Sequence, residues 1–129
     1  MNRYAHLGTN NNWSVQIENN MGTGEVISDM VTTGGILPLV RDSWNTWRFD
    51  IDLTSGNGMV SEYYNGTLLS THPWHNGTGV NAIGAIDLYA NGAGPVYYDN
   101  LSITMIPEPG SLSLLALGGL LFVLRRKAR

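Results

Sequence analysis

The stretch WRFDIDL, residues 47–53, decides the fold class of this chain. Aromatic and aliphatic residues occupy its odd positions, and Arg48, Asp50 and Asp52 occupy its even positions. Because successive side chains of a strand point to opposite faces, this period of two predicts a half-buried β-strand with its odd residues on the core side. Trp44 and Trp47, which flank the start of the strand, are expected in the core.

The rest of the first 105 residues follows the same pattern of short strands and polar turns. MVSEYYNGTLLS, residues 59–70, predicts a hairpin, because Asn65 and Gly66 suit the two positive-φ positions of a type I′ turn. Further strands are predicted over residues 13–17, 24–31, 35–40, 82–90 and 96–105. Since no helical period interrupts them, residues 1–105 are predicted to form an all-β domain, an antiparallel β-sandwich.

Composition and charge narrow the function classes. The chain has 129 residues, no cysteine and a net charge of −3. The first 110 residues contain three arginines and all ten acidic residues, a net charge of −7. An acidic body without a basic stripe argues against nucleic-acid binding, and the lack of cysteine excludes disulfides and thiolate metal sites.

The C-terminal segment differs in character from this acidic body. Pro107, Glu108 and Pro109 precede an uncharged, Leu-rich run over residues 111–124, and residues 125–129 are basic. The run predicts a transmembrane helix of about 21 Å, lengthened by arginines whose apolar stems can lie in the bilayer. The basic stop comprises Arg125, Arg126, Lys127 and Arg129. By the positive-inside rule it is expected in the cytoplasm, with the β-domain on the other side.

These three parts, in this order at the end of the chain, resemble the PEP-CTERM sorting signal of Gram-negative bacteria. The resemblance covers about residues 106–129 and assigns residues 106–110 to the linker and sorting motif. It implies export, transient residence in the inner membrane, and processing near the motif by the membrane enzyme exosortase. It also implies delivery to the periplasm, cell surface or biofilm matrix. The family pattern includes an N-terminal signal peptide, and residues 1–20 show no apolar stretch of that kind. A missing N-terminus or a mis-called start is favoured over a β-domain that stays in the cytoplasm.

Residues 44–104 carry a second resemblance. WNTWRFDIDL, the YYNGTLL hairpin and IDLYANG…VYYDNLSI follow one another as in the second half of a concanavalin A-like, LamG-type jelly roll. The resemblance implies the sandwich of lectins and glucanases, trimmed or truncated at its N-terminal half. Glucanases of this fold carry a Glu-x-Asp-x-x-Glu spacing that RFDIDL lacks, so Asp50 and Asp52 are expected to be solvent-facing charges. No catalytic residue and no enzymatic activity are therefore predicted.

Two loops supply the remaining candidate residues. In THPWHNGTG, residues 71–79, Trp74 is a candidate for stacking on a sugar ring, with His75 and Asn76 beside it. A role of Trp74 in the core or in anchoring the loop is the favoured alternative. The pair Asp99-Asn100 is expected to fix a loop, with structural Ca²⁺ as the alternative, although one carboxylate falls far short of the oxygens that Ca²⁺ takes. No other metal site and no cofactor are predicted.

Three functions remain open from the sequence. The first is an exported, non-catalytic surface or matrix protein with polysaccharide as a candidate ligand. The second is a structural matrix protein without a ligand. The third is a divergent glucanase-like hydrolase.

Overall fold

The computed structural model describes residues 2–6 by their backbone and residues 13–54, 56–77, 79–88, 90, 94 and 96–106. It contains eight strands among these residues. They are β1 Asn2–His6, β2 Trp13–Asn20, β3 Glu25–Ser28, β4 Ile36–Pro38, β5 Trp47–Asp52, β6 Met59–Tyr64, β7 Thr67–Pro73 and β8 Ile83–Leu88. No helix among the described residues has the length and apolar character needed to cross a bilayer.

The strands form two antiparallel sheets that share one core. The first sheet has the order β4-β3-β2-β1-β8, and the second has the order β5-β6-β7. The core is made of apolar side chains from both sheets and from the loop after β7. Its fully buried members are Val15, Ile17, Val26, Val60, Tyr64, Leu69 and Trp74. The predicted all-β, antiparallel class is confirmed, whereas the jelly-roll type stays a prediction.

Strand β5 confirms the alternation read from residues 47–53. Its odd positions are half-buried and pack against the core, and its even positions are exposed. The Trp47 ring lies 4.8 Å from the Tyr64 ring of the neighbouring strand, between ring centres. The expectation for Trp44 is wrong, because this side chain is 74% exposed. It precedes the strand, and the period of two therefore does not govern its direction.

The hairpin between β6 and β7 also agrees with the sequence. Tyr64 pairs with Thr67, which leaves Asn65 and Gly66 as a two-residue turn. Their φ angles are 48° and 80°, the positive values that a type I′ turn requires. The Asn65 side chain accepts a hydrogen bond from the backbone nitrogen of Thr46 at 2.9 Å, and so connects the turn to the chain just before β5.

Replacing Gly66 by valine should lower the free energy of unfolding by about 1–3 kcal/mol, because a β-branched residue is strained at positive φ. A Cβ atom at this position would meet nothing within 4 Å, so the cost comes from the backbone alone. Gly66→Asn is the matched control, since asparagine tolerates this conformation, and it should retain most of the stability. Urea unfolding measures both variants, and equal stability of Gly66→Val and wild type would contradict the prediction.

A β-bulge in β7 changes which side chains face the core. Glu62 pairs with Ser70 and Tyr63 pairs with Leu68, which leaves Leu69 as an extra residue. Because one inserted residue reverses the alternation, both Leu69 and Ser70 are buried, and His72 is directed inward after them. Without the bulge, the side chain of His72 would point to solvent.

The predicted strand over residues 96–105 is wrong, because the structure describes these residues without a strand. Within this segment Asn100 has a φ of 57°. By internal contacts the chain divides into Met1–Val96, which holds the described strands, and Tyr97–Arg129, of which residues 97–106 are described. The predicted motif Pro107–Pro109, the helix over 111–124 and the basic tail lie outside the described residues.

Candidate functional site

An open cleft of about 430 Å³ lies where the start of β2, the turn before β6 and the end of β7 meet. Its lining combines two tryptophans, two histidines, three side-chain amides, a methionine and a proline. The lining residues are Trp13, Gln16, Met30, Asn57, His72, Pro73, Trp74, His75 and Asn76. The cleft thus contains aromatic surface and neutral hydrogen-bonding groups, and no carboxylate belongs to its described lining.

One wall of the cleft is the loop that follows β7, and backbone hydrogen bonds attach it to the turn before β6. The backbone nitrogens of Trp74 and His75 donate to the carbonyl oxygens of Gly58 (3.3 Å) and Asn57 (3.1 Å). A Cβ atom on Gly58 would lie 2.7 Å from Cβ of Trp74, so this close approach needs glycine. The indole nitrogen of Trp74 donates to the carbonyl oxygen of Val80 at 3.1 Å. The wall therefore has a defined position.

A buried polar network lies directly behind this wall. Glu62 is 0% exposed, and its Oε1 lies 3.1 Å from Nε2 of His72, which is 5% exposed. The hydroxyl of Ser70 donates to Oε2 of Glu62 at 2.6 Å, and Ser70 Oγ is 3.1 Å from Ser28 Oγ on the other sheet. Nδ1 of His72 lies 2.9 Å from the carbonyl oxygen of Pro73. The network thus runs from one sheet, through the second sheet, to the cleft wall.

Opposing effects determine the charge of His72. Burial by itself would lower the pKa of this imidazole, but the hydrogen bond to Glu62, the bond to the Pro73 carbonyl and the charge of Glu62 outweigh it. The pKa of His72 is therefore raised above its ordinary value of about 6.5. When the imidazole is protonated, the pair is a buried salt bridge.

The structure brings the three candidate residues of the sequence together on this cleft, but with different exposure. Trp74 is 2% exposed and belongs to the core, as the favoured alternative expects. His75 is half-buried and Asn76 is exposed. Trp74 is almost fully buried, so the half-buried Trp13 is the more exposed of the two tryptophans that line the cleft. Sequence reasoning missed Trp13, although its place after the polar run NNN is an available signal.

Sequence reasoning also missed Glu62 and His72 as a pair. Their contact depends on the pairing of β6 with β7 and on the bulge at Leu69, neither of which is visible in the local pattern. The available signal was the glutamate at an inward position of MVSEYY, where a strand of this type otherwise carries apolar residues. A buried carboxylate needs a partner, and that partner is ten residues away in the chain.

Asp50 and Asp52 lie outside the cleft, on the exposed face of β5. Asp50 forms an ion pair with Arg48 at 3.2 Å between Oδ2 and Nη2. Asp52 accepts hydrogen bonds from the hydroxyl and the backbone nitrogen of Thr54, which lower the pKa of its carboxyl. A general acid in glycoside hydrolysis needs a raised pKa, whereas the pKa of Asp52 is lowered.

Asp99 and Asn100 are exposed and lie in the described part of the second unit, outside any strand. The backbone nitrogen of Asn100 donates to Oδ1 of Asp99 at 2.7 Å, and Asn100 has a positive φ. Among the described residues, no three side chains of the His, Cys, Asp and Glu types lie close enough together to hold a metal ion.

Comparison with known proteins identifies one segment of the chain. Residues 106–127 match the PEP-CTERM protein-sorting motif, which confirms this resemblance of the C-terminal sequence. The motif implies export, transient membrane anchoring and exosortase as the processing partner. No curated protein and no solved structure matches the chain.

Proposed function

We propose that this chain is an exosortase-processed protein of the cell surface or extracellular matrix, whose β-domain binds polysaccharide without catalysing a reaction. The match of residues 106–127 to the sorting motif supports processing by exosortase. The composition of the cleft supports polysaccharide binding. The two parts are tested separately, because a protein can be delivered by this route whatever its domain binds.

The sorting step should depend on the motif itself. Proline restricts its own φ and disfavours helix at the residue before it, and an extended substrate segment is accessible to a processing enzyme. In a host that has exosortase, mature wild-type protein should lack the residues after the motif. Glu108→Gln and Pro109→Ala should both slow this loss. Glu18→Gln, which changes the same charge far from the motif in the sequence, is the control.

Mass spectrometry of protein recovered from the cell surface measures this processing. An intact C-terminus on mature wild-type protein, or equal processing of all four proteins, would contradict the sorting role. The comparison uses one host strain with and without its exosortase, so that cleavage by unrelated proteases is recognised.

The cleft suits a sugar chain because of the groups in its lining. Sugar rings have apolar C–H faces that pack on aromatic rings, and their hydroxyls exchange hydrogen bonds with amides. Trp13 supplies aromatic surface, and Gln16, Asn57 and Asn76 supply amides. The side chain of Gln16 is held by a hydrogen bond from its amide nitrogen to Asp29. Because the described lining contains no carboxylate or arginine, an uncharged polysaccharide is the favoured ligand.

The environments of Asp50 and Asp52 support a non-catalytic role. Asp50 forms an exposed ion pair with Arg48, and hydrogen bonds from Thr54 lower the pKa of Asp52. Both lie on a face that the cleft does not include. Retention of a polysaccharide without its breakdown is thus the expected behaviour.

Trp13→Ala should weaken retention by about tenfold or more, since a truncated aromatic anchor commonly costs over 1.4 kcal/mol of binding. Affinity electrophoresis through gels with dextran, hydroxyethylcellulose, laminarin or alginate measures the effect, with melting temperature followed in parallel. Trp44→Ala is the control, because this exposed tryptophan does not line the cleft. If wild type is retained by none of the gels, a structural matrix role without a ligand replaces the proposal. If wild type shortens any of the polymers, a glucanase-like activity replaces it.

A further inference from the structure

We infer that Glu62 and His72 are positioning residues of the cleft: their buried ion pair holds the wall formed by residues 73–76, and polysaccharide retention requires the protonated imidazole. Only the retention part of this inference rests on the proposed function. The position of the wall is a property of the protein alone and can be measured without a ligand.

The hydrogen bonds of His72 differ between the neutral and the protonated ring. Its two ring nitrogens face the carbonyl oxygen of Pro73 and the carboxylate of Glu62, and both partners are acceptors. A neutral imidazole has one N–H group and can satisfy only one of them, whereas the imidazolium ion donates to both. The hydroxyl of Ser70 donates to the other carboxylate oxygen, so both oxygens of Glu62 have a hydrogen-bond partner.

His72 is connected to the wall through a hydrogen bond to the residue that follows it. His72 contacts the carbonyl of Pro73, the first residue of the wall, and lines the cleft itself. Beyond this bond the wall is attached through the backbone of Trp74 and His75 to the turn at Asn57 and Gly58. Both ring nitrogens of His72 are occupied within the protein, so its contribution to a ligand is to place the wall and not to bind sugar hydroxyls.

The neighbours of the Glu62–His72 pair include two hydroxyl groups. Ser70 contacts Glu62, and Ser28 contacts Ser70. Neither hydroxyl titrates in the ordinary pH range. His75 is the other titratable side chain in the cleft lining, and its Nδ1 accepts a hydrogen bond from the backbone of Gly77. Glu62 is therefore the charged group that faces His72 from the adjacent strand β6.

The direction of the pH effect follows from the raised pKa of His72. The stabilising effect of the pair is fully present below about pH 6.5, the ordinary value for histidine, and is lost as the pH rises through the folded-state pKa. Loss of the proton leaves either the Pro73 carbonyl or the Glu62 carboxylate without its donor. The wall should therefore shift at alkaline pH.

Nuclear magnetic resonance of the full, 15N-labelled chain tests the position of the wall. The indole N–H of Trp74, which donates to Val80, reports on the wall, and the ring nitrogens of His72 report on its proton. Between about pH 5 and pH 9, the Trp74 signal should move with the same midpoint as His72, above the ordinary histidine value. A Trp74 signal that stays constant while His72 titrates would overturn the inference.

Glu62→Gln distinguishes positioning from simple structural support. A glutamine can donate its amide N–H to Nε2 of a neutral imidazole, and Nδ1–H can still donate to Pro73, so the same contacts form without a charge. The Trp74 signal of this variant should stay near its low-pH wild-type position across the range. Asp87→Asn, which removes one exposed negative charge outside the cleft, should titrate like wild type. If the Trp74 signal of Glu62→Gln titrates with the wild-type midpoint, the inference is overturned. If this variant fails to fold, the titration of the Trp74 signal in wild type alone decides.

Retention on the polysaccharide gels completes the test. On a gel that retains wild type, the affinity of wild type should fall about tenfold or more between pH 6 and pH 9. The affinity of Glu62→Gln should change less than about twofold over the same range. The difference between the two changes corresponds to roughly 1 kcal/mol. Constant wild-type retention across the His72 titration would overturn the retention part. If no gel retains wild type, the proposed function fails while the Trp74 titration still decides whether the pair positions the wall.

Discussion

His72→Leu should lower the free energy of unfolding by about 3–5 kcal/mol, because it leaves a buried carboxylate without its cationic partner. Glu62 is 0% exposed, and in the variant the hydroxyl of Ser70 would be the remaining donor to it among the described residues. Burial of an ionised group without a partner is costly, and protonation of the carboxylate at neutral pH is costly as well. Urea unfolding at pH 7 measures the effect.

A double variant separates the cost of the unpaired charge from the cost of changed packing. Glu62→Met combined with His72→Leu removes both charges and fills the space with apolar side chains. Since replacement of a buried ion pair by apolar residues is often neutral or stabilising, the double variant should recover most of the loss. If the double variant is less stable than His72→Leu, the side chains matter for their shape and hydrogen bonds more than for their charges.

Trp74→Ala should also destabilise the domain by about 3–5 kcal/mol, the usual cost of deleting a large buried aromatic side chain. Trp74 is 2% exposed, packs within the core cluster and donates its indole N–H to Val80. The sequence alone permits the opposite expectation, in which a loop tryptophan is lost with little change in stability. The structure makes the large effect the expected one.

Trp44→Ala is the matched control for this substitution. It removes the same side chain from a position that is 74% exposed, so its effect should stay within about 0.5 kcal/mol. Urea unfolding of both variants, followed by far-ultraviolet circular dichroism, gives the comparison. Equal stability of Trp74→Ala and Trp44→Ala would show that the described burial of Trp74 does not hold in solution.

The predictions from the sequence succeeded where the decisive signal was local. The alternation in residues 47–53 needs only the geometry of one strand, and the Asn65-Gly66 turn needs only the φ preferences of two residues. The sorting motif at residues 106–127 is also a linear signal, which an enzyme can read from consecutive residues. The strand over 96–105 was wrong because a strand also needs a neighbouring strand to pair with, and the local apolar pattern does not specify one.

The sequence by itself therefore determined the all-β class, the hairpin and the sorting motif, since each depends on residues that are adjacent in the chain. Only the tertiary structure decided that Trp74 is buried while Trp44 is exposed, and that Glu62 meets His72 behind the cleft. The contact between Glu62 and His72 depends on the register of β6 against β7 and on one extra residue at Leu69, which reverses the facing of every side chain after it in the strand. Burial and charge pairing arise from contacts between separate strands, and a local pattern specifies only the strands themselves.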